Sequence, residues 1–348
     1  MHFGIFLEER RRGASETAAL RETLALVDAA EAWGLDGVWL GEIHFNGTRS
    51  VQSAPLALAS FIAARSRRLR VGTAVQVLPL NHPLRIAEDV ATVDQLSEGR
   101  FDFGIGRSGS PRAYDVLGIP YGESQARFVE SLKIIREAWK GLPLSYDGKF
   151  YRFENATVSP MPYQKPHPPM RMAGNSEETF PFTGRLGLPI FVGVRDLDIP
   201  ALRVHLQAYR NAWAEAGHAG HPDVYLRIPI YAAETQRQAL DEPRENITYF
   251  FHRHTELLRS GLGRVDTGPA AQRQTLVERV ERLTYEEILQ TRAAFGTAAG
   301  LIDRLRELRD DLGLNGIVAE LNPGGLLVSA QMERTLRILT HEIMPAFR

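Results

Sequence analysis

The sequence predicts an α/β protein, a (β/α)₈ TIM barrel with insertions that makes a single domain of residues 1–348. Three observations carry this prediction. Short apolar, strand-like segments alternate with amphipathic helical ones eight times along the chain, the pattern of a parallel sheet with crossover helices. The long break in that alternation, at 141–169, is followed by its resumption, so it reads as an excursion over the surface rather than a linker between domains. The 348 residues, 44% hydrophobic and 24% charged, suffice for one large core, and single barrels often exceed the usual domain length.

His2–Leu7 is strand-like, and 17–33 follows as a helix with Leu20, Leu24, Val27 and Ala30 at helical spacing before Gly34 stops it. Residues 37–41 form the second strand and 54–64 the second helix. The third strand is 69–78, and its helix, 83–96, carries Pro83 in the first turn, where a missing N–H costs little. A short fourth strand, 101–105, leads to a helix at 124–139 with Phe128, Leu132, Ile135 and Trp139 on one face. Pro143, Pro160, Pro162, Pro166, Pro168 and Pro169 then fill 141–169, which is expected to lie outside the barrel. Strand five is 170–173 with helix 176–186; strand six is 189–194 with helix 199–216; strand seven is 224–231, with a long helical stretch beyond it. Within that stretch the glycine-rich run around 260–268 marks 259–275 as a mobile active-site lid. A helix at 297–312, strand eight at 315–321 and a helix at 329–343 close the chain.

Composition narrows the function. With 41 Lys plus Arg against 42 Asp plus Glu the net charge is -1, so no global field favours nucleic acid or an acidic membrane. The absence of cysteine excludes disulfides, thiolate metal sites and a cysteine nucleophile, no metal-ligand cluster is evident, and redox chemistry would need a bound cofactor. The N-terminal segment lacks the apolar core of a signal peptide and no apolar run reaches about 18 residues, so the cytoplasm is the expected compartment.

A barrel concentrates its chemistry at the carboxyl ends of its strands. After strand two, Gly41-Glu-Ile-His-Phe-Asn46 places His44 beside a carboxylate, which fits either proton transfer near neutral pH or a hydrogen-bonded structural histidine. Gly104, Gly106 and Gly109 spell G-x-G-x-x-G, but three strands precede the string, Pro111 interrupts the segment after it and Glu123 opens a helix rather than ending a strand, against a dinucleotide fingerprint. Glycines there let a flat ring approach the backbone while Arg107 offers charge to a phosphate or an anionic ring; a strand-end turn with a surface arginine is the alternative. Gly174 and Asn175 allow a tight turn ahead of Ser176 and Thr179, two hydroxyls at a helix start that serve equally as a cap or as an anion site. Pro79 and Pro83 make a stiff crossover in which His82 reads as structural.

Together the strings VGTAVQVLPLNHP, AEDVATVDQLSEGRF, DFGIGRSG and WLGEIHF resemble the bacterial luciferase-like flavin-dependent monooxygenases, including the luciferase alpha subunit, and the resemblance extends over nearly the whole chain, loosely at 195–295. It implies reduced FMN at the carboxyl end of the barrel, reacting with O₂ through a flavin C4a-hydroperoxide on a small organic substrate, with the reduced flavin supplied by a separate flavin reductase. By the same resemblance Arg107, Ser176 and Thr179 hold the flavin phosphate, Gly174 and Asn175 border the flavin, Ala74 and Val75 form a non-proline cis peptide under the ring, and Gly106 stands near C4a. The catalytic candidate is His44. Ile43 stands at the family's first histidine, Gly106 replaces the alpha subunit's cysteine and opens space for a larger substrate or a tilted ring, and Gln125 replaces a phosphate-binding arginine, with Arg127 nearby. Relatives in the wider superfamily bind the deazaflavin F420, so an F420-dependent hydride-transfer enzyme is the alternative, and a non-catalytic flavin-binding subunit a third. The resemblance also implies a homodimer through the helices at 54–64 and 83–96.

Overall fold

A computed structural model describes residues 1–8, 15–47, 49–108, 111–260 and 270–348. The strands are β1 (His2–Leu7), β2 (Gly37–Leu40), β3 (Arg70–Thr73), β4 (Gln76–Val77), β5 (Phe101–Gly106), β6 (Leu144–Asp147), β7 (Arg152–Ala156), β8 (Met170–Gly174), β9 (Ile190–Gly193), β10 (Val224–Ala232), β11 (Ala294–Gly296) and β12 (Gly316–Glu320). Parallel pairing runs β1-β2-β3-β5-β8-β9-β10-β12 and returns from β12 to β1, where Gly316 faces His2, so eight strands close a barrel. The predicted barrel is what forms.

The helices follow from local chemistry. In α1 (Glu16–Ala32) the Ser15 hydroxyl accepts the Ala18 N–H at 3.2 Å, and Ala19, Thr23, Leu26, Val27 and Ala30 recur on the buried side until Gly34 turns the chain at φ 83°. Proline opens α2 (Pro55–Arg65) and α3 (Pro83–Leu96). After α4 (Pro111–Val116), α5 (Ser124–Ala138) and α6 (Thr179–Arg185), α7 (Ile199–Glu215) is capped by Asp198, which accepts from Ala201 N–H at 2.9 Å. Beyond β10 come α8 (Gln236–Asp241), α9 (Arg244–Ser260), α10 (Ala270–Glu281) and α11 (Tyr285–Thr291). Finally α12 (Ala298–Leu312) buries Leu301, Leu305, Leu308 and Leu312 and stops at Gly313 in the left-handed conformation, and α13 (Ser329–Ile338) follows β12.

Several elements depart from the sequence reading. Strand three is split at 74–75, where the Ala74–Val75 peptide is cis as the resemblance implied, and its second half, β4, pairs with β5. The proline-rich stretch contains the antiparallel hairpin β6–β7, a separate two-stranded sheet. The helix expected at 176–186 is shorter, beginning at Thr179, and β11 adds to β10 where only helix was expected. Residues 261–269, most of the expected lid, lie outside the described residues, as does Gly109.

Strand alternation sorts side chains into two cores. Phe3, Ile5 and Leu7 face the helices, whereas Phe6 joins Trp39, Phe191, Tyr225 and Val318 inside the barrel. Trp39 fits because its neighbours lack side chains: a Cβ on Gly72 would stand 2.5 Å from the indole, and one on Gly4 2.8 Å. Beneath this layer, the indole Nε1 of Trp39 donates to His2 Nε2 at 3.4 Å, and the His2 ring stacks on Tyr225 with centroids 5.0 Å apart. Arg171 lies 3.5 Å from the Tyr225 ring centroid and donates to Asp223, and Arg70 donates to Asp102. These residues plug the amino-terminal end of the barrel.

Burial, followed by the positive charges of Arg171 and Arg70, pushes His2 from the ordinary histidine value of 6.5 down to about 3. In the unfolded chain His2 takes up a proton below pH 6.5, whereas in the folded chain it stays neutral until about pH 3, keeping Nε2 free to accept from Trp39. Its contribution is therefore complete above pH 6.5 and is lost as pH falls from 6.5 towards 3, with a slope of at most about 1.4 kcal/mol per pH unit. Urea unfolding across this range is expected to give a shallower acid loss for His2→Gln than for the parent; parallel curves would contradict it.

Candidate active site

The carboxyl ends of the strands open into a cavity of about 550 Å³, within the usual range for small-molecule sites. Strand exits supply most of its wall: Glu8 after β1, Gly41 to His44 after β2, Ala74 and Val75 after β3, Ala173 and Asn175 at β8, Val194 to Asp196 after β9, and Arg227 and Glu320 from β10 and β12. The helix α9 adds Phe250, His254, Leu257 and Leu258.

On the β2 side, His44 Nε2 and Glu42 Oε1 are 2.6 Å apart, and the other Glu42 oxygen accepts the Val77 N–H at 2.7 Å. Glu42 is almost wholly buried, with 1% of its side chain exposed, while His44 keeps 22%, so the carboxylate is a fixed anchor and the imidazole faces the cavity. With Nε2–H donated to the carboxylate, Nδ1 carries the ring's free lone pair. Ile43 lines the same wall as an apolar neighbour.

Four of the sequence candidates, His44, Ala74, Val75 and Asn175, line the cavity. Gly106, Arg107, Gly174, Ser176 and Thr179 lie off its wall. Gly106 does not open space: a Cβ there would stand 2.6 Å from the Val75 side chain and 3.7 Å from Ala173, so Val75 already fills the gap and the expected extra room is absent. Arg107 Nη1 donates to Ser124 Oγ at 3.2 Å, and its carbonyl accepts from the Tyr114 hydroxyl. Ser176 and Thr179 hydroxyls are 2.8 Å apart, and the Thr179 N–H donates to the Ser176 carbonyl at 2.9 Å, a closed turn ahead of α6. The β5–β8 register pairs Ile105 with Met172, which carries Arg107 to the level of Gly174 on the adjacent strand. Guanidinium and hydroxyl pair thus rise from neighbouring strand ends, an arrangement whose donors suit a phosphate. Arg127 is engaged by Glu123 at 2.8 Å and lies over the Phe150 ring.

The sequence reading missed the charged half of the cavity. Arg49 donates to Glu8 at 2.8 and 3.0 Å, and Arg227 to Glu320 at 2.9 and 2.6 Å while its guanidinium sits 3.4 Å from the Phe6 ring centroid. Asp196 is 2.6 Å from His254 Nε2 and 3.8 Å from Arg195. Burial alone would raise the Asp196 carboxyl, but Arg195, the His254 hydrogen bond and Arg292 outweigh it and hold the group well below the usual carboxylate range. Burial lowers His254, an effect only partly offset by the Asp196 hydrogen bond and charge. Glu8, Arg195, Asp196 and Glu320 all follow or end strands, so inspection of every strand exit would have found them; His254, on a helix far along the chain, carried no such signal.

In barrels of this kind the carboxyl ends of the strands are where sites are built, and here they enclose a mixed polar and apolar chamber. The chain belongs to the luciferase-like monooxygenase family, whose model matches residues 1–315. It is 23% identical over 351 residues to the oxygenase component of a flavin-dependent trigonelline monooxygenase from Acinetobacter baylyi, covering 100% of this chain and 96% of that protein. With the alkanal monooxygenase alpha chain of Photorhabdus laumondii it shares 30% identity over 230 residues, 64% of this chain and 61% of that one, so with several of its curated relatives the match spans only about half to three fifths of their length. Its fold is that of the oxygenating constituent of 3,6-diketocamphane monooxygenase from Pseudomonas putida, solved with FMN, at a TM-score of 0.83, 20% identity and coverage of 99% and 98%.

The Glu42 carboxylate joins His44 to the backbone of the β4 segment, so its removal should unseat both. Glu42→Ala leaves the Val77 N–H without its acceptor and is expected to cost about 1–3 kcal/mol in urea unfolding, with Glu42→Gln recovering part of it. Equal stability of Glu42→Ala and the parent would contradict the anchoring role.

Proposed function

We propose that this protein is the oxygenase of a two-component system, an FMN-dependent monooxygenase that binds reduced FMN and uses O₂ on a small organic substrate. The observation that carries this reading is the placement of a buried-carboxylate-anchored histidine, His44, on a cavity wall that also holds Ala74, Val75 and Asn175, with Arg107 just after β5 and Ser176 and Thr179 just after the adjacent β8. The donor set suits FMN: hydroxyls and a guanidinium for its phosphate, backbone and small side chains for the ring, and a chamber large enough for ring and substrate. FMN, when bound and reduced, would supply the oxygen activation that the cysteine-free chain has no side chain to provide.

The residues of the chain do the rest. Ala74, Val75 and Asn175, which line the cavity, would hold the ring of FMN there. His44, its Nε2 committed to Glu42, would accept or return a proton at Nδ1 in the chemistry that bound FMN supplies. Phe250, Leu257 and Leu258 on α9 keep water from the chamber. The reduced cofactor comes from a separate flavin reductase, and the active form is a homodimer in the cytoplasm. The mobile lid proposed for 259–275 falls largely outside the described residues.

Two measurements test this. Flavin titration is expected to show Arg107→Ala and Ser176→Ala each weakening FMN by roughly thirtyfold, the equivalent of about 2 kcal/mol for a charged contact; parent-like affinity in both would remove the phosphate assignment. Stopped-flow mixing of the protein with reduced FMN and oxygen should give a transient near-ultraviolet absorbing species, and His44→Ala should shorten its life and raise hydrogen peroxide release with flavin binding nearly intact. No transient, with substrate reduced only when F420 is supplied, would replace oxygenation by hydride transfer; flavin binding with neither activity would leave a non-catalytic flavin-binding subunit.

A further inference from the structure

Four arginines line the cavity: Arg49, Arg112, Arg195 and Arg227. Three donate to protein acceptors, Arg49 to Glu8, Arg227 to Glu320 and Arg112 to the Phe45 carbonyl at 2.7 Å. Arg195 differs. Among the described residues its guanidinium has no hydrogen-bonded acceptor, its Nε is shut off from solvent without a partner, and the carboxylate beside it, Asp196, stands 3.8 Å away and is already bonded to His254 at 2.6 Å. The 30% of its side chain that remains accessible belongs to a residue on the cavity wall.

A guanidinium taken out of water needs acceptors, and a carboxylate offers two oxygens in the plane and at the spacing of its fork. Position adds to the argument. The ring order β1-β2-β3-β5-β8-β9-β10-β12 sets β9, whose exit carries Arg195, four strands from β2, whose exit carries His44, so the two stand on opposite sides of the mouth. Apolar side chains, Val194 and the α9 residues Phe250, Leu257 and Leu258, line the chamber with them. Burial, and the neighbouring Arg49 and Arg227 against the pull of Asp196, lower the Arg195 pKa, which marks a site where added negative charge is favoured.

We propose that the organic substrate is an apolar or aromatic monocarboxylate, its carboxylate held by Arg195 and its body lying along α9 so that the far end reaches the reacting zone beside His44. Arg195 is thus the residue that selects acids over neutral analogues. The assignment rests on reading this cavity as the shared chamber of flavin and substrate, with the flavin phosphate held elsewhere, at Arg107, Ser176 and Thr179.

The test uses benzoate and phenylacetate against benzamide and phenylacetamide, titrated by calorimetry into the full chain with and without oxidised FMN. Each acid is expected to bind at least about tenfold more tightly than its amide. Arg195→Gln should abolish that preference, Arg195→Lys should retain part of it, and FMN affinity should stay within about twofold of the parent in both variants, since a change at Arg195 touches only the acid. Equal binding of acids and amides by the parent, or no saturable binding of either acid at millimolar concentration, overturns the proposal. So does an acid preference that survives Arg195→Gln. A loss of FMN affinity in Arg195→Gln, together with displacement of FMN from the parent by inorganic phosphate, would assign Arg195 to the cofactor phosphate instead. Should the acid preference appear and depend on Arg195 while the parent binds no FMN, the carboxylate site stands and the flavin reading of the chamber falls.

Discussion

Closing eight parallel strands into a ring forces every second residue of each strand into one enclosed space, and the rest of this molecule depends on how that space is filled. Trp39 occupies the middle only because Gly4 and Gly72 leave room for the indole, and Phe6, Phe191, Tyr225 and Val318 complete the layer around it. Below them His2, Arg70 and Arg171 close the amino-terminal end with stacked rings and paired charges. An interior filled from the bottom leaves the chamber at the top, where the strand exits converge.

That chamber divides chemically into two halves. On the wall from β2 to β8, His44 is fixed by a carboxylate that also ties down the Val77 N–H. The wall from β9 round to β1 is dense in charge, yet most of that charge is spent within the protein: Arg227 on Glu320 and on the face of Phe6, Arg49 on Glu8, Asp196 on His254. Ion pairs fixed in this way cost no reorganisation when a ligand arrives, and they leave Arg195 as the guanidinium with bonding capacity to give.

The pattern of residues made much of the architecture legible. Periodicity located all eight barrel strands, because a strand buried on both faces must be continuously apolar and its following helix amphipathic. It did not show the hairpin β6–β7, whose residues alternate only partly exposed and pack outside the barrel, nor β11, three residues long and dependent on its pairing with β10. Propensity is weakest where a segment's structure is borrowed from a neighbour.

The site shows the same division. By itself the sequence determined the order of the elements, the freedom from cysteine chemistry, and the presence of His44, Arg107, Ser176 and Thr179 near strand ends, since strand exits are set by local pattern. Tertiary structure alone decided that Val75 fills the space in front of Gly106, that Glu42 turns inward to hold His44, and that Arg195 and Asp196 share one wall with His254, which lies far along the chain from them. The reason is physical: a residue's place along the chain fixes which strand it follows, but which charges meet across a mouth is set by closure of the ring and by the low-dielectric space it encloses, where a charge without a partner is costly.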